Sequence, residues 1–413
     1  MASNKPTNNL LFAIDIGTSK VVTLVAEPGQ DGKLNVIGLG SHPSQGLKKG
    51  VVVNVDSTVQ SIQRSVEAAE EMAGCEIFSA FAGIAGSHIH SVKSDGIVAI
   101  RNREVSQNDI DRVIEAAQAI AIPPGDKVIH VLPQEYVIDG QDAIREPLGM
   151  SGVRLEAKVL VVTGAVSAAQ NIVKCMKRCG LDATDIVLEQ FASSYSVLNE
   201  DEKELGVCMI DIGGGTSDIA IYTDGVIRHT AVIPIAGDQV TNDVAIALRT
   251  PTRNAEVVKI KYGCASQDLV DPSEMIEVAT VGDRAVRSLS RMVLTEVIEA
   301  RYEELFTLAL NELKRSGLEK FIAAGIVLTG GASKIAGAQE LAERIFKMPV
   351  RIGVPDRVTG LSDIIHNPTY ATGIGLLMYA LQQRQSQLGS VVDQPATMNS
   401  LWAKMKSWFQ GNF

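Results

Sequence analysis

The feature that most constrains the fold is a hairpin pattern with a glycine turn that occurs twice in the chain. Residues 11–27 read LFAIDIGTSKVVTLVAE, and residues 207–225 read VCMIDIGGGTSDIAIYTDG. Each copy has an apolar strand, an aspartate, a turn of glycine with threonine or serine, and a second strand of alternating apolar residues. Because both copies follow one plan, they predict an α/β fold built from a duplicated domain.

Each half of the expected duplication closes with a segment rich in small residues, EQFASSYSVL (189–198) and YATGIGLLMYAL (370–381). The distance between two packed helices depends on the side chains at their contact, so small residues at helical spacing allow a close approach. We therefore expect these helices to cross and to form a hinge between the halves. Two ordinary packed helices are the alternative.

Capping residues and alternating patterns indicate further helices and strands. Three segments have helical character: 66–74 ending at Gly74, 106–120 opening with Ser106, and 287–317 ending at Gly317. Strands such as GIVAI (96–100) and AKVLVVTG (157–164) surround the second of these helices. Residues 84–163 are therefore predicted to form a small α+β module inserted in the first half.

The composition indicates a folded protein that does not bind nucleic acid. With 413 residues, 46% hydrophobic and 21% charged, the chain is long enough for two or more domains with hydrophobic cores. A formal charge of −10 repels nucleic-acid phosphates and anionic lipid, so any membrane contact must come from a local segment. The five cysteines lack a paired zinc spacing, and no stretch has the roughly 18 apolar residues of a membrane span. We expect free thiols in a cytoplasmic protein.

Three loops have the composition of phosphate- or nucleotide-binding elements. In the turns 15–20 (DIGTSK) and 211–218 (DIGGGTSD), glycine lacks the Cβ that would keep a phosphate from the backbone N–H groups, and hydroxyls add donors. Loop 328–335 (LTGGASKI) joins an apolar strand to a helical segment, whose N-terminus favours phosphate. The alternatives are a glycine-rich connector and an ordinary βα turn.

The order of these motifs is more specific than any one of them. A first aspartate–glycine turn, a small-residue helix, a second aspartate turn with three glycines, a threonine–glycine–glycine loop and a second small-residue helix follow in this order. The same order is found in the actin, Hsp70 and sugar-kinase superfamily, which the chain resembles. The resemblance implies an actin-like (ribonuclease-H-like) duplicated two-domain ATPase fold, with ATP and Mg²⁺ in a cleft between the halves. It implies weak ATP hydrolysis at most.

The resemblance also implies a role for each matching residue. Asp15 and Asp211 would hold hydrated Mg²⁺ across the cleft. Glu189 or Gln190 would orient the attacking water. The other implied nucleotide-binding residues are Gly17, Thr18, Ser19, Lys20, Gly213, Gly214, Gly215, Thr216, Asp218, Glu256, Lys259, Gly330, Gly331 and Ser333. For Glu256 and Lys259, a solvent-exposed i,i+3 ion pair is the alternative.

The segment SLWAKMKSWFQGNF (400–413) is typical of an interfacial membrane helix. Large apolar side chains fall on one helical stripe with lysines beside it, which suits an anionic lipid surface. The stripe and its lysines are Leu401, Trp402, Lys404, Met405, Lys406, Trp408 and Phe409. Polar residues 385–399 before it are expected to form a flexible linker. A helix that packs on the body or on another protein is the alternative.

With this tail, the whole chain resembles the FtsA family of bacterial cell-division proteins. The implied parts are a first actin-like subdomain (1–83, 164–200 and 367–384), the inserted family-specific subdomain (84–163), a second core subdomain (201–236 and 306–366), a small subdomain (237–305), the linker and the tail helix. The resemblance implies a peripheral protein on the cytoplasmic face of the inner membrane at the division site. It would form filaments, anchor the FtsZ ring, and recruit later division proteins through the inserted subdomain.

The small subdomain is where the resemblance places the C-terminal tail of FtsZ. Four basic side chains there offer charge to an acidic peptide: Arg284, Arg287, Arg291 and Arg301. A solvated helix face is the alternative for any one of them. Two other members of the superfamily stay open as identities. They are a pilus-assembly actin homologue, which should lack the tail helix, and a soluble sugar or acetate kinase.

Overall fold

The computed structural model describes residues 9–29, 33–279, 286–361 and 366–392. The strands are β1 (Leu11–Ile16), β2 (Lys20–Pro28), β3 (Leu34–Pro43), β4 (Leu47–Lys48), β5 (Val51–Val52), β6 (Ser79–Ile84), β7 (His90–Ala99), β8 (Asp126–Ile138), β9 (Gln141–Ile144), β10 (Arg154–Ala165), β11 (Asp182–Leu188), β12 (Val207–Ile212), β13 (Ser217–Thr223), β14 (Val226–Ile233), β15 (Met275–Val278), β16 (Arg287–Ser290), β17 (Ile326–Thr329), β18 (Val350–Ile352) and β19 (Val358–Gly360). The helices are α1 (Val55–Ala73), α2 (Gln107–Gln118), α3 (Val166–Arg178), α4 (Glu189–Val197), α5 (Glu200–Leu205), α6 (Gly237–Leu248), α7 (Thr252–Tyr262), α8 (Arg291–Ser316), α9 (Ala338–Phe346) and α10 (Ala371–Val392).

Two sheets of one topology confirm the expected duplication. In the first, β1 is antiparallel to β2 and parallel to β6, and the order runs β11-β6-β1-β2-β3. In the second, β12 is antiparallel to β13 and parallel to β17, and the order runs β14-β13-β12-β17-β18. The two repeated hairpins of the sequence are β1–β2 and β12–β13, so each aspartate–glycine turn lies at the same edge of its own sheet.

Strand β19 extends the first sheet, because it pairs in parallel with β3. The expected second core subdomain, 306–366, therefore ends too late, since residues 358–360 belong to the first domain. Gly360 has a φ of 93°, and a Cβ there would lie 2.2 Å from the Val36 carbonyl oxygen. β19 and β3 are far apart along the chain, so no local sequence pattern predicts that they pair.

The inserted module has its own sheet, in the order β7-β10-β8-β9, with α2 packed on it. This confirms the α+β insertion predicted at 84–163. The Ser106 hydroxyl accepts from the Asp109 N–H, and the Asp109 carboxylate accepts from the Ser106 N–H, which closes the first turn of α2. The module also contacts the second domain, since the Ser91 hydroxyl donates to the Thr230 carbonyl oxygen at 3.1 Å.

The small subdomain contains α6, α7, the β15–β16 hairpin and the start of α8. The helix predicted over 287–317 begins later than expected, at Arg291, because its first four residues form β16. Ser290 then starts the helix by accepting the Met292 N–H at 3.2 Å. Its predicted end is confirmed, since Gly317 caps α8 with a φ of 74°.

The two small-residue helices, α4 and α10, cross at close range as predicted. A Cβ at Gly375 would lie 1.9 Å from the Ala192 carbonyl oxygen, so the two backbones are in direct contact. Helix α10 continues to Val392, and residues 385–392 are therefore helical instead of forming the first part of a linker.

Each domain has its own buried core. The largest cluster packs the second sheet against α6, α8 and α9 around Ile210 and Phe306. The first domain buries Ile14 and Ile62 between its sheet and α1. A smaller cluster joins the insertion to the second domain, with Leu160 packed beside Met209. The two domains and the insertion are therefore in mutual contact around the crossing helices.

Candidate functional site

A cleft of about 750 Å³ lies between the two domains, where both glycine turns and the loop after β17 meet. It brings together sixteen of the residues that the sequence assigned to a nucleotide site or to catalysis: Asp15, Gly17, Thr18, Ser19, Lys20, Glu189, Asp211, Gly213, Gly214, Gly215, Thr216, Asp218, Glu256, Lys259, Gly330 and Gly331. Gln190 and Ser333 are absent from the described lining. The cleft is large enough for a nucleotide-sized ligand, since such pockets span about 300–1,000 Å³.

The two glycine turns face each other directly across the cleft. A Cβ at Gly214 would lie 1.9 Å from the Ser19 hydroxyl oxygen, and one at Gly215 would lie 2.5 Å from the Thr18 hydroxyl oxygen. Both turns are closed in the same way, by the Gly17 N–H to the Lys20 carbonyl and by the Gly213 N–H to the Thr216 carbonyl. Glycine at 214 and 215 is thus needed for contact between the domains.

The tip of the β4–β5 hairpin covers the same turns, which the sequence did not indicate. The Gly50 N–H donates to the Thr18 hydroxyl at 3.0 Å, and a Cβ at Gly215 would lie 2.9 Å from the Lys49 Cα. Lys49 has a φ of 50° and Gly50 a φ of 76°, as a tight turn requires. The lysine–glycine pair between short apolar runs is typical of a hairpin turn. The hairpin was still not predicted, because β4 and β5 have only two residues each.

Asp15 and Asp211 lie at the end of β1 and β12, one from each domain, and both line the cleft. Burial raises the pKa of Asp15 to about 7, with the nearby Asp211 adding to the shift and Lys20 opposing it. Burial also raises the pKa of Asp211, whose Oδ2 accepts from the Ser193 hydroxyl at 2.6 Å and the Thr372 hydroxyl at 3.3 Å. The small-residue helices α4 and α10 therefore orient this carboxylate.

Lys20 brings positive charge to the floor of the cleft. Burial lowers its pKa to about 8, and Lys334 lowers it further, whereas Asp15 opposes the shift. Its Nζ lies 4.3 Å from the centroid of the Tyr370 ring. Lys20 and Lys334 thus add positive charge beside the carboxylates of the cleft, as an anionic ligand would need.

Glu189 is the first residue of α4 and its side chain reaches the cleft beside the two aspartates. Burial raises its pKa well above the usual range, and Asp15, Asp218 and Asp211 add to the shift. Gly83 makes room for it, because a Cβ there would lie 2.9 Å from the Glu189 Cγ. Glu189 is thus placed to hold a polar group between the carboxylates.

Gln190, the other predicted water-orienting residue, is fully buried and does not line the cleft. Consecutive helical residues point about 100° apart, so both could not face the same ligand. Its amide has no hydrogen-bond partner within the described residues. Of the two candidates, Glu189 is the one whose side chain reaches the cleft, so Glu189 is kept as the water-orienting candidate.

Buried carboxylates make the stability of the nucleotide-free protein depend on pH. Burial raises the pKa of Asp218 to about 8, above the value of about 3.9 in an unfolded chain. The folded state then binds more protons, so the free energy of unfolding falls as the pH rises from about 4 to about 8. Asp218→Asn should raise the melting temperature by roughly 2–4 °C near pH 8 and leave it almost unchanged near pH 5. A thermal melt at both pH values tests this; an equal change at both would contradict it.

The far end of the cleft contains the pair from α7. Lys259 Nζ lies 2.7 Å from Glu256 Oε2 and donates to the Gly237 carbonyl at 3.0 Å. The side chain of Lys259 is 12% exposed and that of Glu256 is 44% exposed, so the pair lies partly buried at the wall of the cleft. The pair holds α7 against the start of α6, at the wall of the cleft.

Side-chain hydrogen bonds from Ser333 and Tyr302 stabilise the loop after β17. Ser333 is buried, and its hydroxyl donates to the Gly330 carbonyl at 2.7 Å. The side chain therefore stabilises the loop from inside, whereas the sequence predicted that it would face the ligand. Gly330 has a φ of 84°, and a Cβ there would lie 2.3 Å from Asp211 Oδ1. Tyr302 donates to the Ala332 carbonyl at 2.7 Å, a contact that the helix pattern of α8 did not reveal.

The predicted basic strip is not assembled as one surface. Arg287 donates to the Leu248 carbonyl at 2.5 Å, and Arg301 pairs with Asp243 at 2.5 Å. Arg291 pairs with Glu274 and lines the central cleft. Arg284 lies outside the described residues. Each described guanidinium donates to an acceptor of its own, and Arg291 and Arg301 are paired with carboxylates, so the three do not form one basic surface.

The fold and the cleft define the class of protein. Solved structures with the same architecture include the PilM–PilN type IV pilus biogenesis complex (TM-score 0.67, 15% identity, 90% of this chain and 98% of that chain). MreB5 of Spiroplasma citri bound to ADP has a TM-score of 0.58 at 14% identity, over 93% of this chain and 100% of that chain. A filament structure of MamK has a TM-score of 0.50 at 15% identity, over 90% and 98%. This is an actin-like two-domain protein.

The family follows from the sequence comparisons. The family model described as "Cell division protein FtsA" matches residues 208–375, and "SHS2 domain inserted in FTSA" matches residues 86–163. The "Cell division protein FtsA" of Pseudomonas aeruginosa is 62% identical over 98% of this chain and 99% of its own length. The protein of that name from Escherichia coli is 45% identical over 98% of both chains. The chain belongs to the FtsA family of cell-division proteins, which disfavours the pilus-assembly and kinase alternatives.

The expected tail helix, with its residues Leu401 to Phe409, lies outside the described residues. Within the part of the chain that the structure describes, no helix is long and apolar enough to cross a membrane.

Proposed function

We propose that this cell-division protein binds ATP with Mg²⁺ in the interdomain cleft and polymerises on the cytoplasmic face of the inner membrane. There it anchors the FtsZ ring through its C-terminal helix and helps recruit later division proteins through the inserted subdomain. One observation supports the proposal most strongly: each domain contributes one glycine turn and one buried aspartate to the same cleft. A ligand that contacts both turns would hold the two domains together.

The cleft residues suit a magnesium nucleotide. Backbone N–H groups of the two glycine turns and the ammonium groups of Lys20 and Lys334 would bind the phosphates. Asp15 and Asp211 fit a hydrated Mg²⁺, which keeps several waters and takes one or two carboxylates, and which supplies charge neutralisation when bound. The loop at Gly330 and Gly331 and the pair on α7 would contact the base and ribose. Glu189 would orient a water.

Self-association is supported by the fold neighbours, one of which is described as a double helical filament of MamK. We propose that copies of this chain stack in a comparable way, with the closed cleft as the form that enters the filament. A polymer would also strengthen membrane attachment. One tail can contribute roughly 5–8 kcal/mol from its apolar stripe, and many tails on one filament bind together through their effective concentration.

For the FtsZ tail, a groove of about 360 Å³ between α6 and α8 is the candidate surface in the small subdomain. It exposes Ile246 over 77% of its area beside the guanidinium of Arg301 and the carboxylate of Glu304. An apolar groove with both signs of charge at its rim suits an extended peptide with apolar anchors. This surface replaces the basic strip as the expected contact.

Sedimentation with liposomes tests the membrane part of the proposal. The full chain should sediment with vesicles that contain anionic lipid, and more strongly with Mg·ATP. A chain that ends at Gln394 should stay in the supernatant, and Trp408→Glu should lower the bound fraction by at least about tenfold, since a carboxylate on the apolar stripe resists burial. Circular dichroism of the variant checks that it is folded. Equal sedimentation of the full and shortened chains would remove the tail from the membrane.

A further inference from the structure

His130 connects the inserted subdomain to the backbone at the start of α4. It lies on β8, is 2% exposed, and its Nε2 is 3.0 Å from the backbone nitrogen of Leu188. A backbone N–H can only donate, so Nε2 accepts and the proton of the neutral ring is on Nδ1. Burial lowers the pKa of His130 to about 4, which keeps the ring neutral. Leu188 immediately precedes Glu189, whose carboxylate lines the cleft.

The Leu188 N–H that donates to His130 lies at the end of an edge strand. Strand β11 is the edge of the first sheet, and Leu188 is its last residue. Leu188 is fully buried, and no side chain caps the first turn of α4 from within that segment. A buried N–H without an acceptor costs about 1–3 kcal/mol, and the imidazole provides an acceptor for this one.

Aromatic contacts fix the ring in place. Its centroid lies 5.6 Å from that of Phe191 on α4 and 6.5 Å from that of Tyr379 on α10. The imidazole is thus held between the two crossing helices, while its own strand belongs to the insertion. Any shift of β8 relative to the first domain changes the distance from Nε2 to the Leu188 nitrogen.

We propose that His130 is a positioning residue, which from within the inserted subdomain fixes the first turn of α4 and thereby the Glu189 carboxylate in the cleft. This rests on the proposed ATP-binding function of that cleft. The Glu189 side chain has little freedom of its own, because it passes closely over Gly83. The backbone at Leu188 therefore sets where its carboxylate lies. Reacting groups displaced by about 1 Å can lose about 10²-fold in rate, so one hydrogen bond is enough to matter.

Two variants separate the hydrogen bond from the ring. His130→Phe keeps an aromatic ring between α4 and α10 but removes the acceptor, whereas His130→Gln places an amide oxygen close to the position of Nε2. For His130→Phe, we expect the dissociation constant of a fluorescent ATP analogue to stay within about threefold of the wild-type value. Single-turnover hydrolysis of Mg·ATP should fall about tenfold to a hundredfold. His130→Gln should recover the rate to within about threefold.

His88→Phe is the matched control. His88 lies at the junction of the insertion, and neither of its ring nitrogens has a hydrogen-bond partner within the described residues. The same chemical change there removes no hydrogen bond, and hydrolysis should be unchanged. If His130→Phe does not fold by circular dichroism, His130→Gln is compared with His130→Asn, whose shorter side chain cannot reach Leu188 and should be the slow variant.

The outcomes distinguish this inference from the function on which it rests. If the wild-type chain binds no ATP analogue, the proposed function fails. If it binds and hydrolyses ATP but His130→Phe does so at the same rate, His130 does not position Glu189 and only this inference is overturned. A wild-type chain that binds ATP and never hydrolyses it also overturns the positioning role. Equal losses for Phe and Gln at position 130 would mean that an acceptor at this position does not restore the rate, which also overturns the role of the hydrogen bond.

Discussion

Replacing Gly215 by valine is expected to abolish nucleotide binding while both domains remain folded. A Cβ at this position would lie 2.5 Å from the Thr18 hydroxyl oxygen, 2.9 Å from the Lys49 Cα and 3.0 Å from the Lys49 nitrogen. Two of these three atoms are backbone, so rotation of a side chain cannot relieve the contact. The domains must separate, and the two turns can then no longer contact one ligand. We expect affinity for a fluorescent ATP analogue to fall at least about 100-fold, a loss of roughly 3 kcal/mol.

Gly180→Ala is the control for this change. Gly180 has a positive φ, 78°, and no heavy atom lies within 4 Å of the Cβ that would be added. It reports the backbone strain of losing a glycine, about 1 kcal/mol, without a clash between the domains. Its nucleotide affinity should match that of the wild type. Normal affinity in Gly215→Val would show that the phosphates bind elsewhere.

The parts of the fold that the sequence predicted well are those encoded by neighbouring residues. The hairpins at Asp15 and Asp211 each combine an apolar strand, a turn and a second strand within about twenty residues, and both have the predicted form. The caps at Ser106 and Gly317 were identified for the same reason. Local patterns therefore gave the repeated hairpins, the insertion and the crossing helices.

The features that were missed depend on contacts between distant residues. β19 pairs with β3, more than three hundred residues earlier in the chain, and has only three residues of its own. Ser193 and Thr372 donate to Asp211 from two different helices, although the sequence marked both segments only for their small size. A small polar residue in such a helix can serve packing and hydrogen bonding together, and the pattern does not distinguish the two.

The predicted site residues that do not lie where the sequence suggested share one cause, which is the direction of the side chain. Glu189 and Gln190 are adjacent, yet only the first reaches the cleft. Ser333 faces the Gly330 carbonyl instead of the ligand side of its loop. The basic residues of the small subdomain face different acceptors, and Arg291 faces the cleft. Motifs locate a loop or a helix turn, but the packing around it decides which residue is presented.

The crossing of α4 and α10 provides a second change with a large expected effect, Gly375→Ala. The added Cβ would lie 1.9 Å from the Ala192 carbonyl oxygen and 2.3 Å from its carbon, so one helix must move away from the other. Overpacking a core usually costs about 1–3 kcal/mol, and contact with rigid backbone should exceed that range. We expect the melting temperature to fall by roughly 6–10 °C, with weaker nucleotide binding because both helices carry hydroxyls that hold Asp211.

Gly373→Ala, two residues earlier in α10, is the control variant for Gly375→Ala. Its Cβ would lie 2.7 Å from the Leu24 Cδ1, which is the end of a buried side chain and not backbone. A small adjustment of that side chain can relieve the contact. Alanine also favours a helix over glycine by about 1 kcal/mol, so this variant should melt within about 2 °C of the wild type. Differential scanning calorimetry of the two variants measures the difference. Equal melting temperatures would mean that α4 and α10 separate without cost, and the close crossing would then not be what holds the two domains together.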